Sequence, residues 1–250
     1  MQDRGRGRGR VARRVVLYVP GFDPFPARRY RELYRREGAA QAAISGYDLA
    51  LSPLAAAERF GWQVDATIEG APVRTRFEVL VWSDLVRESM PDGILATYRQ
   101  MVTAIAAYFG SGAVWPLIRL RKGPMIAGFY PVVMLLLQAV LAVLAVWLVA
   151  RAGALVLPAW LAVVPGLGAG WAVLRGFKRI DGRIFAHYLM HDLAYCAAGR
   201  GAYPASLEAR LAEFGDRLRA ALAEDVDEVL VVGHSSGAIL GVSLLADLTR

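Results

Sequence analysis

The run Glu228-Val-Leu-Val-Val-Gly-His-Ser-Ser-Gly-Ala-Ile-Leu-Gly-Val, residues 228–242, decides how this chain is read. Residues 229–232 are apolar and mostly β-branched, as a buried parallel strand should be. Residues 238–248 carry apolar side chains at helical spacing. Between the two, Gly233, Ser235 and Gly237 form the pattern G-x-S-x-G. A serine on a sharp strand-to-helix turn is held in a strained backbone conformation, and neighbours without bulk let strand and helix pack behind it. The hydroxyl is then lifted into the open at the carboxyl end of the strand, where a base and a substrate carbonyl can reach it. The bland alternative is an ordinary strand-to-helix turn of an α/β domain.

A second motif lies near the start. Residues 14–24, Arg-Val-Val-Leu-Tyr-Val-Pro-Gly-Phe-Asp-Pro, read as a strand ending in a Pro20-Gly21 turn. Together the motifs resemble the α/β-hydrolase family, with its G-x-S-x-G nucleophile elbow and its early strand ending in a His-Gly-x loop. The resemblance covers about half of the chain. It implies Ser235 as nucleophile, with Gly233, His234 and Gly237 completing the elbow. It also implies an oxyanion hole made by the backbone amides of Phe22 and Ser236. Two donors are needed because the tetrahedral intermediate places a full negative charge on one oxygen. Pro20 replaces the family's usual His, which leaves the Phe22 amide in place.

Between the motifs, residues 26–43 read as a helix, and 62–68 and 73–82 as strands joined by a turn over 69–72. Residues 94–109 form an amphipathic helix, followed by the linker Gly110-Ser-Gly-Ala. In residues 206–223, Leu207, Leu211, Phe214, Leu218 and Leu222 share one helical face, with Ser206 as the expected N-cap. Alternating strands and helices argue for an α/β fold: a partial doubly wound, mostly parallel sheet of α/β-hydrolase type, with helices on both faces.

The middle of the chain is different. Residues 125–150 and 152–174 contain no charged side chain, and each is long enough to span about 30 Å of hydrocarbon. Two such stretches joined at Arg151 and Gly153 predict an inserted transmembrane hairpin. Pro158, Pro165, Gly166, Gly168 and Gly170 weaken the second helix, and packing against the first would tolerate them. Arg119, Arg121 and Lys122 precede the hairpin, and Arg175, Lys178, Arg179 and Arg183 follow it. The turn has only Arg151, so both flanks are expected to be cytoplasmic. The expected address is the inner (cytoplasmic) membrane, with two spans and with the N- and C-terminal parts inside. The expected organisation is a disordered basic arm over 1–13, a hydrolase-like domain over 14–118 and 180–250, and the hairpin with its flanks over 119–179.

Arg4, Arg6, Arg8, Arg10, Arg13 and Arg14 make the arm basic, and the arm contributes much of the net charge of +7. Its expected roles are a solvated tail or contact with anionic lipid head groups. No nucleic-acid module or aromatic–basic interleaving is present, so no nucleic acid is expected as partner. A single cysteine, Cys196, excludes an internal disulfide and reads as packing in a reducing compartment. No cofactor or metal is expected. His187 and His191 sit at i, i+4 beside Asp192, without a third ligand, and read as polar positions on the helix after the hairpin.

In the family the acid and the histidine follow the nucleophile. The residues after Ser235 contain no His, and Asp247, their only acid, lies on the elbow helix. His234 points away from the nucleophile if the turn is standard. The acid and base are therefore expected beyond residue 250, and residues 1–250 alone are expected to be inactive. The expected function is that of a membrane-anchored serine hydrolase acting on an ester, thioester or amide. Its expected partners are the lipid bilayer and an amphiphilic or acyl substrate. Two other readings stay open: a non-catalytic hydrolase-like membrane scaffold, and a membrane-hairpin adaptor. The sequence leaves the oligomeric state open.

Overall fold

A computed structural model describes residues 11–54, 60–119 and 122–248. The chain divides into two compact units, Met1–Glu88 with Pro204–Arg250, and Ser89–Tyr203. Residues 1–10 of the expected arm lie outside the described residues. Arg13 and Arg14 belong to the first strand rather than to the arm.

The first unit is built on a five-stranded sheet. In chain order it contains β1 (Arg13–Val19), α1 (Arg28–Ser45), β2 (Asp48–Pro53), β3 (Gly61–Ile68), β4 (Ala71–Val79) and α2 (Ser83–Ser89). The strand order is β2-β3-β4-β1-β5, where β5 is Glu228–Gly233. β1 runs parallel to both β4 and β5. β2 pairs antiparallel with β3, and β3 antiparallel with β4. The sheet is thus mixed, not mostly parallel. The cause is local. Glu69 and Gly70, with φ of 52° and 73°, close a tight turn between β3 and β4, and a two-residue turn can only join antiparallel strands. The core strand is β1, in which Val15, Leu17 and Val19 have no exposed surface.

Other expectations shift here. β4 ends at Val79, so Trp82 lies in the link to α2 rather than in a strand. β5 is an edge strand, and its side chains are half-buried or, at Val232, exposed, instead of buried. β2 and α2 have weak sequence patterns and were not expected. The helix before β5, Ala205–Leu222, buries Leu207, Leu211, Phe214 and Leu218, while Leu222 is exposed. Pro204, not Ser206, stands at its start, and its carbonyl accepts the N–H groups of Leu207 and Glu208.

The second unit is helical. It contains α3 (Ile94–Gly110), α4 (Val114–Ile118), α5 (Lys122–Gly153), α6 (Ala159–Arg179), α7 (Asp181–Ile184) and α8 (Ala186–Ala197), then a 3-10 turn over Ala198–Gly201. The first unit resumes with α9 (Ala205–Leu222), β5 and α10 (Ser236–Leu248). The unit around the apolar pair is larger than the span expected for it, because α3 and α8 pack with α5. The expected linker is a turn over residues 111–113, and the short helix α4 follows it.

Two stretches, Met125–Gly153 and Ala159–Arg179, are long and apolar enough to cross a membrane, and only 17% of the most apolar window of each is buried. At 1.5 Å per residue the first is roughly 43 Å long, more than the hydrocarbon thickness, so a crossing helix would tilt. The turn between them lies at residues 154–158, not at Arg151, which belongs to the last turn of α5. Three of the residues expected to weaken α6, Pro158, Gly166 and Gly170, have positions that suit them, while Pro165 lies inside the helix and Gly168 faces open space. Pro158 precedes the helix as its N-cap. Ala162, Gly166 and Gly170 form a buried stripe four residues apart. A Cβ on Gly166 would lie 2.8 Å from the Val146 carbonyl oxygen, and one on Gly170 would lie 2.5 Å from a Val146 methyl. Without a hydrophobic driving force in lipid, close backbone approach of this kind supplies the packing energy.

Candidate active site

The candidate site is assembled where β1 and β5 end side by side. The register pairs Val19 with Gly233, so the loop after β1 and the turn after β5 leave the sheet together. The His234 N–H donates to the Val19 carbonyl at 3.1 Å. The Gly237 and Ala238 N–H groups donate to the carbonyls of His234 and Ser235, both at 2.9 Å, which closes the turn and starts α10.

Ser235 has φ of 53°, in the left-handed region that a residue with a Cβ rarely adopts. Its side chain is exposed. The glycines around it explain how the strain is sustained. A Cβ on Gly237 would sit 2.3 Å from the carbonyl oxygens of both Val19 and Pro20. A Cβ on Gly233 would sit 2.5 Å from Ala238 Cα. Neither clash can be relieved by moving a flexible side chain. The glycine pattern is therefore required by backbone approach from two sides.

Gly21 makes the third close approach. A Cβ there would lie 3.1 Å from Ser235 Cβ and from the His234 carbonyl oxygen. This brings the loop containing Pro20, Gly21 and Phe22 against the turn containing His234, Ser235 and Ser236. Gly21 and Phe22 are buried, while His234 and Ser235 are exposed. Ser236 opens α10, so the positive end of the helix dipole adjoins the serine.

Sequence reasoning missed the residue that holds the loop. The Trp82 indole N–H donates to the Pro20 carbonyl at 2.9 Å, and its ring meets Phe22 edge-on with centroids 6.2 Å apart. Trp82 is 1% exposed. Asp23 fixes the far side of the loop by accepting from the Tyr30 hydroxyl at 2.7 Å and the Phe25 N–H at 3.0 Å. A Trp at the end of an apolar run was the available signal, since an indole N–H usually finds an acceptor when the ring is buried.

Deeper in the unit, Glu78 and Arg217 form a buried two-pronged pair, with both bonds at 2.6 Å. Burial pushes the Glu78 carboxyl up, but Arg217 and Arg76 outweigh it and hold the group below its ordinary range. The network ties β4 to α9 and has no contact with Ser235.

Among the described residues, no side chain hydrogen-bonds the Ser235 hydroxyl. His187 and His191 lie on α8, the helix after the hairpin, and both are buried. His191 Nδ1 lies 2.6 Å from Gln100 Oε1, and neither ring nitrogen of His187 has a partner. Burial, with Lys178 nearby, lowers both histidines, His191 to about 4. Among the described residues, no group of three or more His, Cys, Asp or Glu side chains is placed to hold a metal ion. Cys196, expected to be packed, is exposed, with its sulfur 3.8 Å from an Asp192 oxygen.

No protein-family model matches the chain, and no curated protein or solved structure is detectably similar to it.

Proposed function

We propose that this chain acts as a membrane-anchored serine hydrolase of the α/β-hydrolase type, with Ser235 as its nucleophile. The observation that carries the reading is Ser235: exposed, at positive φ, on a strand-to-helix turn whose flanking glycines contact backbone on both sides. Serine turns of ordinary α/β domains have no need of this strain.

The Ser235 Oγ attacks the carbonyl carbon of an ester, thioester or amide, and its proton passes to a base. The carbonyl oxygen becomes an oxyanion held by the Phe22 and Ser236 amides. Collapse expels the alcohol, thiol or amine with a proton and leaves an acyl-serine. Water then releases the acid and restores the hydroxyl. In enzymes of this type that base is a histidine oriented by an acid. The two apolar helices, with their basic flanks, anchor the protein in the inner membrane with both flanks cytoplasmic. That address favours an amphiphilic or acyl-lipid substrate.

The test is labelling by a fluorophosphonate probe, with the protein in its native membrane. A probe adduct on Ser235 that is lost in Ser235→Ala supports the enzyme. One observation favours a second reading: the Ser235 hydroxyl has no base bonded to it among the described residues. In a non-catalytic membrane scaffold the strained turn is retained without chemistry, and the serine stays unlabelled.

A further inference from the structure

The pairing of α5 with α6 fixes how much of each helix can lie in hydrocarbon. A Cβ on Gly153 would lie 3.2 Å from Ala162 Cβ, one on Gly166 2.8 Å from the Val146 carbonyl oxygen, and one on Gly170 3.0 Å from the Ala142 carbonyl oxygen. At the other end of the pair, the Tyr130 hydroxyl donates to the Ile184 carbonyl at 2.5 Å. These contacts set one antiparallel ladder, in which Arg175 is level with Ala139, Lys178 with Leu136, and Arg151 with Val163. We infer that hydrocarbon covers only residues 139–174, and that the hairpin fits a bilayer with a hydrocarbon core of about 24 Å, thinner than the usual ~30 Å. The inference rests on the membrane reading of α5 and α6 and is independent of the chemistry at Ser235.

The boundary at the base comes from charge and packing. Arg175, Arg179 and Arg183 are exposed, and the ladder sets them level with residues 139, 135 and 131 of α5. The same part of α5 is packed by helices outside the pair. Leu135 shares a cluster with Met101 and Ala104 of α3 and Met190 of α8, and the Tyr98 hydroxyl donates to its carbonyl at 2.9 Å. α3 and α8 carry Arg99, Gln100, His191 and Asp192. Helices of that content do not lie in hydrocarbon, where each charged group is costly. A lone helix of the length of α5 would tilt. Here its first half stands outside the bilayer and serves as core of the helical unit.

The far boundary is the turn at residues 154–158. Leu155, Val156 and Trp160 are 85%, 83% and 76% exposed there. An exposed indole suits the boundary between head groups and chains. From Ala159 to Arg175, α6 measures roughly 24 Å at 1.5 Å per residue. Arg151 is level with Val163, so its backbone lies about 6 Å inside that end, a distance that its own extended side chain covers. Seating Arg151 in the far head groups therefore requires a bilayer as thin as the hairpin is short. A thicker bilayer would draw Arg151 or the arginines at the base into hydrocarbon.

Side chains of equal exposure therefore stand in unlike surroundings. Ile126 and Val133 are 63% and 58% exposed, and Val143 of α5 and Leu167 of α6 are 67% and 60% exposed. Along the axis, Val133 and Ile126 lie roughly 9 and 20 Å outside the Arg175 level, on the side away from the turn. Val143 and Leu167 lie between the two charged levels and face lipid chains. Because the protein itself covers the four side chains to a similar degree, a difference in their access to water reports the membrane.

The experiment reconstitutes the full chain, with Cys196→Ser, in phosphatidylcholine vesicles that hold a membrane-impermeant maleimide inside as well as outside. Alkaline carbonate extraction comes first, and release of the protein there refutes the membrane reading itself. With the protein retained, Ile126→Cys and Val133→Cys should react at least ten-fold faster than Val143→Cys and Leu167→Cys. Protection of Ile126→Cys and Val133→Cys equal to that of Val143→Cys overturns the inference, because hydrocarbon then covers the whole of α5. Fast reaction at all four positions also overturns it, because the pair then stays out of the lipid chains. A second measurement uses the unsubstituted chain and so does not depend on how the variants fold. It reads, by flotation, the yield of insertion from detergent into vesicles of fourteen-, eighteen- or twenty-two-carbon phosphatidylcholine. The yield should fall at least three-fold from the shortest chains to the longest. A smaller fall, or a rise, overturns the fit to a thin bilayer.

Discussion

The two units bury polar groups in opposite ways. In the sheet unit, Glu78 and Arg217 are 4% and 7% exposed, yet every charge is answered: Arg217 grips both carboxylate oxygens, and Arg76 and Glu224 extend the network. In the helical unit, His187 and Gln138 have no exposed surface, and their side-chain polar atoms have no partner. A buried polar group costs little when paired and about 1–3 kcal/mol when orphaned. The sheet unit therefore answers its buried charges, and the Trp62 indole N–H of β3 is the buried side-chain group there that has no partner among the described residues. The helical unit relies on apolar and small-residue packing and carries its polar groups at a cost. Substitutions should hurt the first and can relieve the second.

The largest expected effect breaks function while leaving the frame intact. In the active protein, Ser235→Ala should lower turnover by roughly 10⁴- to 10⁶-fold, because the attacking atom is gone. Ser236→Ala should cost far less, since its assigned role is a backbone amide that alanine keeps. Steady-state kinetics on a simple ester separate the two. Equal losses at both positions would contradict the elbow assignment.

Next comes the frame. Arg217→Met should destabilise the sheet unit by about 3 kcal/mol, the low end for breaking a buried pair, because Arg76 still contacts Glu78. Denaturant melts followed by Trp62 and Trp82 fluorescence give the value. A cost under about 1 kcal/mol would mean that the network is looser than its 2.6 Å bonds indicate.

Acid should separate the units. The histidines are depressed in the folded state, His191 to about 4 from an ordinary 6.5. The unfolded chain then binds more protons, so their contribution is complete above pH 6.5 and fades as pH falls toward 4. The groups facing His191 include Lys178, which lowers it further, and Asp181 and Asp92, which oppose the shift. Glu78 is also depressed, but from 4.5, so its contribution is complete above 4.5 and is lost only below it. The hydrogen-exchange protection factors of α8, taken relative to the intrinsic rate at each pH, should therefore fall between pH 6.5 and 4, while those of β1 and β4 hold until the pH falls below 4.5. Simultaneous loss of protection in both units would refute the assignment.

The smallest effect has the opposite sign. Gln138→Leu removes an orphaned amide from the helical unit at similar volume, so it should be neutral or stabilising by up to about 1 kcal/mol in detergent melts. Destabilisation would show that Gln138 has a partner, such as a buried water or ligand.

The sequence by itself determined the features set by neighbours in the chain. Two long uncharged stretches specify two apolar helices, because nothing in them can bear exposure to water along a whole helix face. Gly233, Ser235 and Gly237 specify a tight strand-to-helix turn, because the residues that must approach one another are only a few positions apart. Leu207, Leu211, Phe214 and Leu218 specify the buried face of α9 in the same way. Tertiary structure decided what depends on distant partners. The antiparallel β3–β4 pair follows from its own tight turn, but the parallel pairing of β4 with β1 spans 61 positions, from Arg13 to Arg74. β5 is half-exposed because of its edge position, which its own apolar residues do not reveal. The burial of His187 and His191 follows from how α8 packs on α3 and α5, and the i, i+4 spacing was silent on it. The hold of Trp82 on Pro20 spans 62 residues. Even the glycines of the elbow have their full reason only in three dimensions, where Gly237 meets the backbone of β1 from the opposite end of the chain. Local pattern limits the conformations that a segment can adopt, and packing between remote segments selects among them.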